Sequence, residues 1–336
     1  MTTHPLEIAR ALAGQFTILR EIGKGGMGVV YLARDDKLDR PVALKVLPSD
    51  SDTVARERFL REGRTAARLA HPNIVPIYRA DEMGDIAFFT MAYVDGESLA
   101  DRVRDRGPFE PADAVRILRE VAWALAYAHA RGVVHRDVKP ENVLLERATG
   151  RALVTDFGIA RTTESVAGEQ TLTQAGAVLG TLQYMSPEQV AGETLDGRSD
   201  LYSLGVVAFF MLSGRLPFGD LAGPAVIVAH ATRQPPSLRD VAPDVPAPLA
   251  RVVDRCLAKR PDDRYATGEA LADALESALA ESPLLPTATS VADDRLARLS
   301  EAEANAIWRR AAQLQSDALR RLESRSDLLA QPSSTT

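Results

Sequence analysis

Cysteine is nearly missing from this 336-residue chain. Cys256 stands alone, which excludes an internal disulfide framework and a cysteine-held zinc site. Long apolar runs are missing too: the longest, Leu201 to Leu212, is too short to cross a bilayer as a helix. Met1 to Arg10 lacks a basic stretch followed by an apolar core, so no secretory leader is read and the expected address is the cytoplasm. Positive charge is not in excess. A net charge of −6 and an isoelectric point near 5.5 argue against nucleic acid or an anionic membrane as a broad electrostatic partner. Lysine is scarce, with Lys24, Lys37, Lys45, Lys139 and Lys259 set against 35 arginines. Each lysine therefore raises the question of whether a compact ammonium is needed where it stands.

What remains is 46% hydrophobic and 26% charged, an ordinary globular composition long enough for about two domains or one two-lobed unit. The first hundred residues read mostly as strand. Phe16 to Ile22 and Val29 to Asp35 alternate on either side of the glycine-rich stretch at 23–28. Arg40 to Leu47 follows, with Val42, Leu44 and Val46 alternating against Ala43 and Lys45. Asp52 can cap a helix that places Phe59, Ala66, Leu69 and Ala70 near one face, and Ile74 to Ala80 and Ile86 to Tyr93 fit two further strands.

After Asp95-Gly96 the texture turns helical. Helices fit Pro111 to Ala130, Arg198 to Ser213, Pro248 to Ala258 and Gly268 to Ala280, the second being apolar enough to form a buried axis. Ser282 to Ala292 has linker composition. Ser300 and Glu303 fit a capping box that opens an amphipathic helix, with Ala304, Ile307, Ala311, Leu314, Ala318 and Leu322 on one stripe. The expected organisation is an extension at 1–15, a domain at 16–280 with lobes at 16–94 and 95–280, a linker at 281–299, a helix at 300–326 and a tail at 327–336.

A G-x-G-x-x-G pattern has a dinucleotide-binding turn as its first competitor, but that needs a helix after the glycines. Here a strand follows, V-V-Y-L-A-R, so the glycines sit in a strand–turn–strand able to lay backbone N–H groups over phosphates. Lys45 lies on the next strand in V-A-L-K, and Glu62 on the following helix could reach it. H-R-D-V-K-P-E-N at 135–142 and D-F-G at 156–158 complete the set. With these motifs in this order, the chain from about Phe16 to Leu279 resembles the Hanks-type protein kinases, specifically the bacterial serine/threonine branch.

The resemblance implies a bilobal α+β fold: a small antiparallel-sheet lobe with one helix, and a mainly helical lobe. It implies ATP and Mg²⁺ as cofactors, with Mn²⁺ as an alternative ion, and proteins as substrates. Phosphoryl transfer is mostly positioning and charge stabilisation. By resemblance, Lys45 contacts the α- and β-phosphates and is held by an ion pair with Glu62. Asp137 orients the substrate hydroxyl, Lys139 approaches the γ-phosphate, and Thr181 supports their loop. Asn142 and Asp156 supply oxygen ligands to the metal. Ile22, Gly23, Lys24, Gly25, Gly26 and Gly28 form the phosphate-covering turn. Val30, Ala43 and Leu144 sandwich the base, Met91 is the gatekeeper, and the backbone of Ala92 and Val94 forms the hinge. Many relatives carry an acidic residue where Ala92 stands. Three residues are assigned structural roles, Glu188 paired with Arg264 and Asp200 accepting catalytic-loop N–H groups.

Arg136, beside Asp137, is a cation that a phosphate on the activation segment could satisfy. Thr171 and Thr173 are the expected autophosphorylation sites, with Thr162, Thr163 and Ser165 nearby. Partner classes are protein substrates, a second copy for trans-autophosphorylation, and a partner for the 300–326 helix, whose Trp308 could anchor a contact. That helix could equally dock on its own lobe. No membrane span is read, so the chain is a soluble kinase or the cytoplasmic part of a longer membrane-anchored one. The rival readings are a pseudokinase acting as a nucleotide-binding scaffold and a small-molecule kinase on a similar fold. Intact motif residues oppose the first, and the long segment ending in S-P-E opposes the second.

Overall fold

The computed structural model describes residues 5–25, 28–47, 51–157 and 182–282. Gly26, Thr162, Thr163, Ser165, Thr171, Thr173, Thr181 and the 300–326 helix with its linker and tail lie outside them. A short helix, α1 (Pro5–Ala11), leads into β1 (Phe16–Gly25), β2 (Gly28–Asp35) and β3 (Arg40–Val46); α2 (Thr53–Ala66), β4 (Ile77–Met83) and β5 (Ile86–Ala92) follow. The five strands form one antiparallel sheet in the order β1-β2-β3-β5-β4.

The expected alternation along β3 gives way to burial on both faces. Val42, Leu44 and Val46 pack on the outer side with Phe16, Tyr31 and Phe88, and α1 closes that side with Ile8 and Leu12. Ala43 faces the opposite cluster with Phe59, Phe89 and Met91. Side chains alternate faces along a strand, so both can be apolar only when something covers each. Helix α1, a seven-residue element in the extension, was not anticipated.

Asp52 does cap α2, accepting the Ala55 N–H at 2.7 Å. The helix ends at Ala66, however, and Ala70 is exposed rather than on the buried face. The strand anticipated from Ile74 starts only at Ile77. Pro76 has no N–H to give a ladder, and Ile74 and Val75 instead pair with Val154.

Beyond Tyr93 the chain forms β6 (Gly96–Ser98), α3 (Leu99–Arg106) and the long α4 (Pro111–His129). A 3₁₀ turn (Pro140–Asn142), β7 (Val143–Glu146) and β8 (Ala152–Val154) come next. Strands β6, β7 and β8 make a small second sheet under the first. The helices α5 (Pro187–Ala191), α6 (Gly197–Ser213), α7 (Pro224–Thr232), α8 (Leu238–Val241), α9 (Ala247–Cys256) and α10 (Gly268–Ala280) complete the described part. Almost every side chain of α6 from Ser199 to Leu212 is buried; α4 and α9 pack against it, and α10 packs on α4 and α9. The fold is an antiparallel-sheet lobe with one main helix, followed by a mostly helical lobe.

Candidate active site

The site lies where the large sheet, the small sheet and the loop between α4 and β7 meet. The β2–β3 register sets Val30 opposite Lys45, and the β3–β5 register sets Ala43 opposite Met91 and Lys45 opposite Phe89. Val30, Ala43, Met91, Ala92, Val94 and Leu144 join one apolar cluster, so the side chains expected around a base converge. The Ala92 N–H is committed to Pro76 O at 3.0 Å. At the hairpin end Gly25 pairs with Gly28, while Ile22 and Lys24 are exposed. Gly28 has φ +129°, and a Cβ there would stand 2.2 Å from Val46 O, so only glycine lets β2 turn this close to β3.

Lys45 is buried at 6% exposure, and its ammonium donates to Asp156 Oδ1 at 2.7 Å. Sequence reading pairs Lys45 with Glu62. In the structure the short ion pair goes to Asp156, which the end of β8 carries under β3, while Glu62, buried on the inner face of α2, acts on the lysine as a second negative charge. Burial pulls the Lys45 ammonium down, but Asp156, then Glu62 and Asp137, outweigh it and hold it above its ordinary value. Burial likewise pushes Asp156 up, and Lys45 overcomes that to keep the carboxylate below its usual range. Both groups are therefore ionised at neutral pH. Gly63 permits the close seat of α2, since a Cβ there would meet Ala80 and Phe89 at 3.1 and 3.2 Å.

The catalytic-loop candidates are held from below. Asp200, buried in the first turn of α6, accepts the His135 N–H at 2.7 Å and the Arg136 N–H at 2.8 Å, and it bonds His129 Nε2 at 2.7 Å. His135 is fully buried, and burial lowers its pKa, so it is neutral. Its Nδ1 accepts the Asp137 N–H at 3.3 Å, so the ring proton is on Nε2 and goes to Thr155 O at 3.0 Å. One imidazole thereby ties the stretch holding Asp137 to the stretch holding Asp156, and it stacks on Phe157 with centroids 4.5 Å apart.

Around Asp137 the partners are close. Lys139 Nζ donates to its Oδ2 at 2.7 Å, and Asn142 Nδ2 reaches its backbone oxygen at 2.8 Å and Oδ2 at 3.2 Å. Arg136 (φ 66°) and Asp156 (φ 55°) both adopt left-handed backbone, a strained state for non-glycine residues that concentrates at working sites. Lys45, Asp137, Lys139, Asn142 and Asp156 thus form one continuous polar cluster with Glu62 behind it. Among the described residues no group of three or more His, Cys, Asp or Glu side chains could hold a metal by itself. One carboxylate and one amide suit a hard cation that takes its remaining oxygens from elsewhere.

The anchor is tight. Arg264, with no side-chain exposure, donates to Glu188 Oε1 and Oε2 at 2.7 and 2.8 Å. It also donates to the carbonyls of Ala258, Arg198 and Lys259. Burial pushes the Glu188 carboxyl up, but Arg264 and Ser199 outweigh it and hold it low. Sequence reading missed Gln189: its side chain closes a capping box with Ser186 and donates to Arg136 O at 2.9 Å, joining α5 to the catalytic loop. The S-P-E-Q spacing held the capping signal, but nothing in it pointed to Arg136.

Comparison with known proteins gives the following. Residues 16–275 match the family described as protein kinase domain. The chain is 40% identical over 264 residues to the serine/threonine-protein kinase PrkC of Bacillus subtilis, covering 78% of this chain and 40% of that protein. It is 43% identical over 283 residues to PknJ of Mycobacterium tuberculosis (82% and 47%) and 40% identical over 305 residues to PknB of Mycobacterium leprae (87% and 47%), both named serine/threonine-protein kinases. The chain spans less than half the length of these curated relatives.

Proposed function

The chain belongs to the protein kinase family, and we propose that it transfers the γ-phosphoryl group of ATP to serine or threonine hydroxyls of proteins. The observation that carries this reading is the cluster in which Lys45 from the sheet lobe meets Asp156, next to Asp137 held by Lys139 and Asn142. An ammonium kept charged by three carboxylates is suited to phosphate oxygens. Asp137 supplies a carboxylate for the acceptor hydroxyl, and Lys139 a compact positive charge beside it. Asn142 and Asp156 would hold a divalent ion, Mg²⁺ or Mn²⁺, and their hard oxygen donors fit one. When bound, such an ion neutralises phosphate charge. The residues act by orienting the hydroxyl, fixing the phosphates and keeping Asp137 in place.

Control of activity by autophosphorylation at Thr171 or Thr173, support of the loop by Thr181, and trans-action by a second copy belong to the same proposal. So do the acceptor proteins and any partner of the 300–326 helix. No helix among the described residues is long and apolar enough to cross a membrane. A scaffold that binds nucleotide without transfer finds no support, since the matching relatives are named as serine/threonine-protein kinases.

The test is phosphosite mass spectrometry on the purified chain incubated with Mg-ATP, beside Asp137→Asn. Phosphate on Thr171 or Thr173 in the wild type alone is the expected result. Transfer that survives in Asp137→Asn would overturn the role given to Asp137, and full activity in a Thr171/Thr173 double-alanine variant would overturn the activation step.

A further inference from the structure

Asp200 holds the loop that ends in Asp137, and His129 holds Asp200. The Oδ1 atom of Asp200 accepts the Arg136 N–H at 2.8 Å, while its Oδ2 is shared by the His135 N–H and His129 Nε2, each at 2.7 Å. A carboxylate oxygen accepts, so His129 carries its ring hydrogen on Nε2. At 1% exposure the carboxylate has little access to water, and the imidazole N–H has no ready substitute. The three donors are not equivalent. Two are N–H groups of the loop being positioned, and they move with it. His129 is the last residue of α4, whose Val121, Leu125 and Ala128 lie in the core that α4 shares with α6. A carboxylate held by the loop alone can turn with the loop, whereas one held also from α4 has its plane set against a packed helix.

Gly197, the first residue of α6, makes the seat for this ring. A Cβ there would stand 2.4 Å from His129 Nδ1 and 2.8 Å from its Cγ and Cε1, so any larger residue displaces the imidazole. The backbone of Gly197 is not left-handed, and its conformation alone does not call for glycine. Alanine is the better helix former, so what glycine supplies at this position is room for the ring.

We propose that His129 is a positioning residue for phosphoryl transfer: its Nε2–H fixes the Asp200 carboxylate, and through the His135 and Arg136 N–H groups it sets where Asp137 meets the acceptor hydroxyl, while Gly197 keeps the imidazole seated. This rests on the kinase reading above. His129 acts on Asp137 through Asp200, so its loss is expected in turnover and not in ground-state binding.

The experiment measures kcat, KM for ATP and KM for dephosphorylated β-casein in the full-length wild type, His129→Leu, His129→Gln, Gly197→Ala and the double variant Gly197→Ala/His129→Leu. A thermal melt establishes that each is folded at the assay temperature. His129→Leu is expected to lower kcat about 10-fold, the lower end of what one hydrogen bond to a charged group is worth, with both KM values within about 2-fold of wild type. His129→Gln places an amide N–H at the same reach as Nε2 and is expected to bring kcat back to within about 3-fold of wild type. Gly197→Ala is expected to slow turnover despite the better helix former, and to add little in the double variant, where the bond it breaks is already gone. An unchanged kcat in His129→Leu overturns the proposal. So does a His129→Gln enzyme as slow as His129→Leu, or an equal rise in both KM values, which marks general loosening. Should His129→Leu fail to fold, Gly197→Ala decides, and wild-type turnover there overturns the proposal. A wild type that phosphorylates neither casein nor itself overturns the kinase reading and this proposal together, an outcome distinct from an active enzyme indifferent to His129.

Discussion

Replacing Glu188 by Gln tests the anchor between α5 and the loop before α10 more sharply than any truncation. The substitution keeps volume and removes one charge. Arg264 has five N–H donors, and all five are used: two on Glu188 and three on the carbonyls of Ala258, Arg198 and Lys259. A glutamine offers one oxygen and an NH₂ group. One guanidinium N–H therefore faces another donor, and the positive charge loses its counter-charge at a side chain with no exposure. Breaking a buried pair in this way costs roughly 3–5 kcal/mol, because the stranded partner cannot be resolvated. For a domain of this size each kcal/mol moves Tm by about 2–4 °C, so a fall on the order of 6–20 °C is expected in a thermal melt. The pH dependence gives an independent check. The folded-state pKa of Glu188 is depressed, so its contribution is present above the unfolded value, near 4.5, and is lost as pH falls through the folded value. The gap between wild type and Glu188→Gln is thus widest at neutral pH and closes on acidification. A Tm change below about 2 °C at pH 7, or a gap that does not narrow in acid, would refute the reasoning.

Three further outcomes are expected. Lys45→Met removes the ammonium that links β3 to Asp156 and should cut transfer to casein on the order of 10²–10³-fold, with fluorescence-detected folding retained. Gly28→Val forces a Cβ against Val46 O and an unfavourable φ, so a loss of about 1–3 kcal/mol in denaturant unfolding and a higher KM for ATP should appear together. Asp200→Asn turns an NH₂ group toward one of the donors that Asp200 now accepts, and should lower kcat more than it raises the ATP KM in steady-state kinetics.

Much of the fold could be read from residues alone where a pattern is long or a motif is rigid. The strand pairs around the glycines, the apolar spacing of α4 and the nearly unbroken apolar run of α6 each declare themselves over many residues. Helix α1 did not, because seven residues hold too few turns to show a period, and its role is visible only once Ile8 and Leu12 lie on the sheet. The strands β6 and β8, three residues each, are fixed by pairing and not by propensity. Within the site, the residue types were legible while some of their partners were not. The family pattern pointed Lys45 at Glu62, whose charge does act on it, while the short bond to Asp156, 111 positions away, was not read. Gln189 on Arg136 O and His129 on Asp200 are likewise products of chain folding, with no local spacing to announce them.

Asp200 has a wider consequence. It stands at the start of the most deeply packed helix and grips consecutive N–H groups of the loop that ends in Asp137. The loop carrying the carboxylate that we propose meets a hydroxyl is therefore suspended from the hydrophobic interior by two bonds rather than from the surface. Close-packed interiors transmit small displacements instead of absorbing them. Trimming Val206 or Met211, both buried in α6, is therefore expected to shift the mounting on which Asp137 hangs and to lower turnover in steady-state kinetics at a temperature where the protein stays folded.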